Sequence, residues 1–167
     1  MLLRHVKKGF SLIEVLLYLS LAGVLVLVSS FYFFQIMESR IRNQVISEVD
    51  WQGAQIMQTI SQILRNANSI ISPPAGGNST NLSLDVTGAN PTIFDVSSGN
   101  LRISEAGQPA QNLNSSNIKI SNVVFYNFSR TNTDGIITIR YTVSYMTTTS
   151  RFEYNYSKDF YGTAALR

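Results

Sequence analysis

A single carboxylate interrupts an otherwise uncharged stretch. From Phe10 to Phe34 the chain reads FSLIEVLLYLSLAGVLVLVSSFYFF, with Glu14 as the only charge. A carboxylate in a membrane-length helix costs several kcal/mol unless it is paired or lies near the interface, so it calls for a functional partner. The alternative is that Glu14 lies within a turn of the interface and is simply solvated. Ahead of it stand three cations, Arg4, Lys7 and Lys8, followed by Gly9 and Phe10.

Elsewhere the residue types that do chemistry are missing or scattered. There are no cysteines, which removes disulfides and thiolate metal sites together. The single histidine, His5, lies among the first residues, so imidazole catalysis and histidine-rich metal sites are excluded beyond it. Gly76-Gly77 sits in a Pro/Gly/Asn turn and reads as a loop, not a phosphate cradle. A hairpin would be able to bring Asp85 and Asp95 together, but acids at strand ends are usually solvated. Calcium needs clustered oxygen ligands, and the ten acidic residues are spread too widely to supply them. No nucleophile–base pair stands out, so neither an enzyme nor a cofactor is expected. Five Asn-x-Ser/Thr triplets, at Asn78, Asn81, Asn114, Asn127 and Asn155, are what so much Asn and Ser gives by chance.

The net charge of +3 is local. Three of the 13 Lys and Arg residues precede Gly9, which leaves ten basic against ten acidic residues in the remainder. The body of the chain therefore lacks the basic footprint that binds phosphate backbones, and no nucleic-acid partner is expected.

These residues must be positioned by two kinds of element. Val15 to Phe34 is a run of 20 residues without charge, which as a helix spans roughly 30 Å, the thickness of a bilayer's hydrocarbon core. Basic residues before the run keep the N-terminus cytoplasmic. Beyond it, Ile41, Val45, Val49, Ile56, Ile60 and Ile63 recur at near-helical spacing and give one face for a sheet to cover. Gly53 lies on that stripe, where it allows close packing or a slight bend. Trp51 lies off it; it either reaches a domain edge or a neighbour or packs under a loop, and the second is expected. Asn66, Asn68 and Pro73-Pro74 end the helix near Asn66.

From Asn81 onward the period becomes two. Short strands are expected at NLSLDV, TIFDV and NLRIS, separated by turns at Thr87-Gly88 and Ser97-Ser98-Gly99-Asn100. Longer ones follow at 117–129, 135–148 and 151–160, with a turn at Asp134-Gly135 and with Phe152, Tyr154 and Tyr156 alternating in the last. Phe125, Tyr126, Phe128, Tyr141 and Tyr145 read as core and cross-strand packing. The expected fold is α+β: a long N-terminal helical spine packed against an antiparallel head of about six strands in a meander. The boundaries are 1–9 leader, 10–34 hydrophobic helix, 35–68 amphipathic helix and 69–167 β-rich head.

A cleaved secretory signal fits poorly, because the apolar run is too long and SSFYFFQ is a weak cleavage site. A plain signal anchor explains the length but not Glu14. KKGFSLIEV, residues 7–15, resembles the processing site of type IV prepilins: basic residues, Gly, Phe, Ser or Thr, Leu, Ile or Leu, then Glu before a long apolar run. That resemblance implies cleavage by a prepilin peptidase between Gly9 and Phe10, N-methylation of Phe10, and an assembly role for Glu14. Gly9, the smallest residue, lets a membrane protease reach the bond. The new cationic amine on Phe10 would find its counter-charge in Glu14 of a neighbouring helix, setting axial register more than adding stability.

EVDWQGAQIMQTISQILRNANSIISP, with the tyrosine-rich tail ending FYGTAALR, is similar to W-type minor pilins and to J-type pseudopilins of type II secretion. The resemblance implies a non-enzymatic filament subunit, first in the inner membrane and then in an extracellular or periplasmic fibre. Its partners would be other pilin subunits, the prepilin peptidase and the inner-membrane assembly platform. A major pilin of the shaft and a signal-anchored surface binding module that never polymerises are the alternatives.

Overall fold

The computed structural model describes residues 11–130, 135–147 and 154–167. One helix, α1 (Leu12–Arg65), runs 54 residues. It starts where the Ser11 carbonyl accepts from the amides of Glu14 at 3.0 Å and Val15 at 3.2 Å. It stops where the Asn66 amide is shared between the carbonyls of Gln62 and Ile63, with Arg65 in the last turn complementing the helix dipole. The chain divides into two compact units at Arg40/Ile41.

The C-terminal unit uses α1 as one wall of its core. Val45, Val49, Gln52, Gly53, Ile56, Ile60 and Leu64 are buried, a stripe at the helical period. Ile41 and Ile63, expected on that stripe, are half-buried flanks, and Leu64 takes the last core position. Trp51 does not pack under a loop: it is 61% exposed, because its position lies off the stripe.

The head is antiparallel, but it is not one six-stranded meander. Among the described residues nine strands form two sheets. The five-stranded sheet has the order β1 (Ala67–Ser72), β3 (Leu82–Val86), β4 (Thr92–Ser97), β5 (Asn100–Glu105), β6 (Gln111–Asn112). The four-stranded sheet has the order β2 (Asn78–Ser79), β7 (Ile118–Asn127), β8 (Ile136–Tyr145), β9 (Ser157–Ala165). The two-residue strands β2 and β6 are too short to carry a period, and β1, ANSIIS, shows no alternation. The strands that do alternate lie where the pattern puts them.

Turn chemistry fixes the registers. Ser97 pairs with Asn100, so Ser98-Gly99 is a two-residue loop, and both residues have positive φ, 52° and 80°. That is the hairpin geometry whose twist matches the flanking strands. In β7 a bulge falls between Ser121 and Val124, at Asn122 with φ 52°. The extra residue reverses the side-chain parity. Ile118 and Ile120 point inward before it, and Val123, Phe125 and Asn127 after it. Opposite them, β8 turns Ile137, Ile139, Tyr141 and Val143 into the core.

The last strand differs most from expectation. It runs Ser157–Ala165 instead of 151–160. Tyr154 and Tyr156 precede it, and Phe152 and Asp134 lie outside the described residues. The inward positions of β9 are Phe160, Gly162 and Ala164, the last two small where α1 comes close. A Cβ on Gly162 would fall 2.3 Å from Met57 Sδ, and one on Gly53 would fall 2.1 Å from the end of the Phe160 ring. Phe160 cannot swing freely away, because it stacks on Tyr141 with ring centroids 5.6 Å apart. The Tyr141 hydroxyl donates to the Gly53 carbonyl at 2.7 Å, and burial pushes its pKa well up. Gly and Ala are poor strand formers, which is why the aromatic alternation upstream is misleading.

Gly53→Leu is therefore expected to destabilise the head by about 3 kcal/mol, the upper part of the overpacking range. Chemical denaturation of the full chain in detergent checks it. Adding Phe160→Ala should return part of the loss, because the two positions share one space.

Candidate functional site

The first turn of α1 is where sequence and geometry meet. Ser11 supplies the carbonyl that opens the helix, and Glu14 lies in the first turn, where free amides and the positive end of the dipole favour a carboxylate. Tyr18, four residues on, donates its hydroxyl to Glu14 Oε1 at 3.2 Å. The sequence reading missed this contact, although the i, i+4 spacing signals it. Gly9, Phe10, Arg4, Lys7 and Lys8 lie outside the described residues.

Beyond that turn the helix presents apolar side chains on every side. Leu16, Leu19, Val24, Leu27, Phe31 and Phe34 are each more than half exposed. This apolar stretch is not buried, and the helix is long and apolar enough to cross a membrane. Two of its polar interruptions are satisfied locally. Ser20 donates to the Leu17 carbonyl and Ser30 to the Val26 carbonyl, both at 2.8 Å, so neither hydroxyl needs water. The backbone amides and carbonyls bond within the helix, the condition for any segment to sit in hydrocarbon. Gly23 has open space around it.

The charged side chains described in the head pair locally or lie apart. β3 and β4 pair with Leu82 opposite Phe94 and Leu84 opposite Thr92. That register puts Asp85 and Asp95 at opposite ends of the hairpin, so the hairpin does not bring them together. Asp95 instead takes both Arg102 Nη2 and, at 3.0 Å, Arg102 Nε, and this contact holds the guanidinium pKa up. Lys158 bonds Asp50 at 2.8 Å, which raises the Lys158 pKa. Gly76 closes the turn ahead of β2 with φ 77°, its amide donating to the Asn127 carbonyl at 2.8 Å. Among the described residues no group of three His, Cys, Asp or Glu side chains gathers to hold a metal ion.

The aromatic residues divide. Phe125 and Tyr141 are core. Tyr126 stacks on Phe128 at 6.2 Å and Tyr145 on Tyr154 at 6.1 Å, with Phe128 exposed on the outer side. Two of the Asn-x-Ser positions are structural. Asn114 Nδ2 donates to the Asn100 side chain and to the carbonyls of Ser115 and Ile118, while its Oδ1 accepts from the Leu101 amide. Asn127 Nδ2 donates to the Pro73 carbonyl at 2.7 Å. Both are buried, so their amides are not open to modification in the folded chain.

Residues 4–30 match the family model for the prokaryotic N-terminal methylation motif. The match supports a type IV pilin-like subunit. No curated protein and no solved structure matches the chain. The motif implies processing by a prepilin peptidase and assembly with other pilins, and with the apolar helix it supports a single-pass membrane anchor. The long helix packed against antiparallel sheets is the pilin-like α+β architecture.

Two outcomes follow. Gly23→Arg, near the middle of the uncharged run, should cost about 2.5–3.5 kcal/mol of insertion, seen as release of the chain from membranes by alkaline carbonate. Asn114→Ala strands a buried amide and carbonyl and should lower stability by about 1–3 kcal/mol, measured in the same denaturation experiment as Gly53→Leu.

Proposed function

We propose that the chain is a minor pilin or pseudopilin, a structural subunit of a type IV pilus or a type II secretion pseudopilus. Residues 1–9 are its leader. A prepilin peptidase cuts between Gly9 and Phe10, guided by Arg4, Lys7 and Lys8, and Phe10 is then N-methylated. The observation that carries this reading is the methylation motif at residues 4–30 set at the head of an apolar helix whose side chains are exposed.

The chemistry of each step is simple. Cleavage turns an amide into a cationic amine on Phe10. When the helix leaves lipid for a filament, that amine and the carboxylate of Glu14 on an adjacent subunit neutralise one another. A buried pair adds little net stability, but breaking it leaves one charge uncompensated, a loss of about 3–5 kcal/mol. The pair therefore sets which axial offsets between helices are tolerated. The head then lies on the fibre surface or at its tip and helps to prime assembly, with no catalytic role.

Mass spectrometry of the native protein tests the processing step: the expected N-terminus is a methylated Phe10. A chain still beginning at Met1, in cells with active peptidase, overturns the reading. Glu14→Ala should be cleaved normally yet recovered poorly in sheared fibres. Recovery at the wild-type level would point instead to an anchored module that does not polymerise. Low abundance in the fibres beside a dominant subunit separates a minor pilin from the major one.

A further inference from the structure

We propose that Tyr18 is a positioning residue for Glu14: its phenol holds the carboxylate on one face of the helix in lipid and remains as a second donor once an amine arrives. This rests on the filament reading above and deepens it.

Among the described residues, the side-chain hydrogen bond that Glu14 accepts comes from Tyr18. Ser20 and Ser30 spend their hydroxyls on their own helix carbonyls, and the neighbours of Tyr18 on its side of the helix are Val15, Leu19 and Ala22. Tyr18 stands four residues on from Glu14, on the same face. Side chains tilt toward the helix N-terminus, which carries the phenol back over the turn that holds Glu14. Its hydroxyl reaches Oε1 at 3.2 Å. A tight O–H···O⁻ bond is shorter, about 2.5–2.7 Å, so this one orients the carboxylate without locking it.

Both stages of the subunit's life use that arrangement. In lipid, a carboxylate with no donor is drawn toward the headgroups, and the phenol keeps it instead on the face it shares with Tyr18. In a filament, an amine cannot fill the roughly four lone-pair sites of a carboxylate. A buried ion pair is tolerated only when the remaining sites are also satisfied. Tyr18 fills one of them without adding charge, which a lysine or arginine there would do in competition with the incoming amine.

The test uses the full-length chain in its own cells, with peptidase and other subunits unaltered. Tyr18→Phe removes only the hydroxyl. Cleavage after Gly9 should be unchanged, while recovery in sheared fibres, taken relative to the membrane pool, should fall about fivefold, the fold-change of one net hydrogen bond. In detergent micelles, the Cζ resonance of ¹³C-labelled Tyr18 should move when Glu14→Ala removes the acceptor. A Tyr18→Phe chain recovered like wild type beside an impaired Glu14→Ala chain overturns this inference alone. So does a Tyr18 resonance that ignores Glu14→Ala. If Glu14→Ala itself is recovered normally, the filament reading fails and this inference falls with it.

Discussion

The head is organised by how closely α1 can approach β9. Two glycines make the approach possible from opposite sides: Gly53 on the helix admits the Phe160 ring, and Gly162 on the strand admits the Met57 thioether. Phe160 lies against Tyr141, and Tyr141 bonds back to the Gly53 carbonyl, so helix, edge strand and central strand close one ring of contacts. With that distance set, Ile56, Ile60 and Leu64 reach the same buried cluster as Leu82 and Phe94 of one sheet and Phe125 and Ile139 of the other. A wider spacing would open voids across the whole cluster, and protein interiors do not tolerate them cheaply.

Polar ties then fix what packing leaves free. Hydrophobic contact is not directional, so it does not by itself fix how the loop after β6 lies. Asn114 does, by bonding to the start of β5, to the next residue and to the start of β7. Gln52 of α1 accepts from the Ser115 amide at 3.0 Å and is itself braced by Glu48, to which its amide donates at 2.7 Å. The helix thus holds this loop through one buried side chain. Asn127 does the same for the segment ahead of β2, through Pro73. Buried amides of this kind specify one arrangement because leaving any of them unmade costs more than making it gains.

How much of this the sequence carries depends on whether a residue acts through its neighbours in the chain or across space. Glu14 and the uncharged run announce themselves locally, as do the helix stripe from Val45 to Ile60 and the Ser98-Gly99 turn. The division into two sheets does not, because β2 and β6 exist only through the partners they meet. β9 is concealed for a different reason. Two of its three inward residues, Gly162 and Ala164, are small to suit α1, so the strand's period-two signal is weak, while the tyrosines before it mimic one. Gln52 and Asn114 look like ordinary surface residues until the fold buries them. Tyr18 was legible in principle from its spacing to Glu14, but an aromatic in an apolar run reads first as one more apolar residue.

The same helix faces two solvents, and its composition changes to match. In the first part the apolar residues lie all round and Ser20 and Ser30 bond to carbonyls of their own helix, which suits a medium with no hydrogen bonds to offer. In the second part the apolar residues narrow to one stripe, which suits a core on one side and water on the other. Glu14 breaks the first rule. A lone carboxylate is the one group in that stretch whose free energy changes steeply when a cation comes near, whereas Leu and Val side chains pack about as well on lipid tails as on another helix. Apolar packing alone would let neighbouring helices slide past one another with little penalty. In the proposed filament, one charge per subunit would remove that freedom, because every offset but the paired one would leave it stranded. On that proposal the carboxylate would supply order along an axis on which the rest of the segment has no preference.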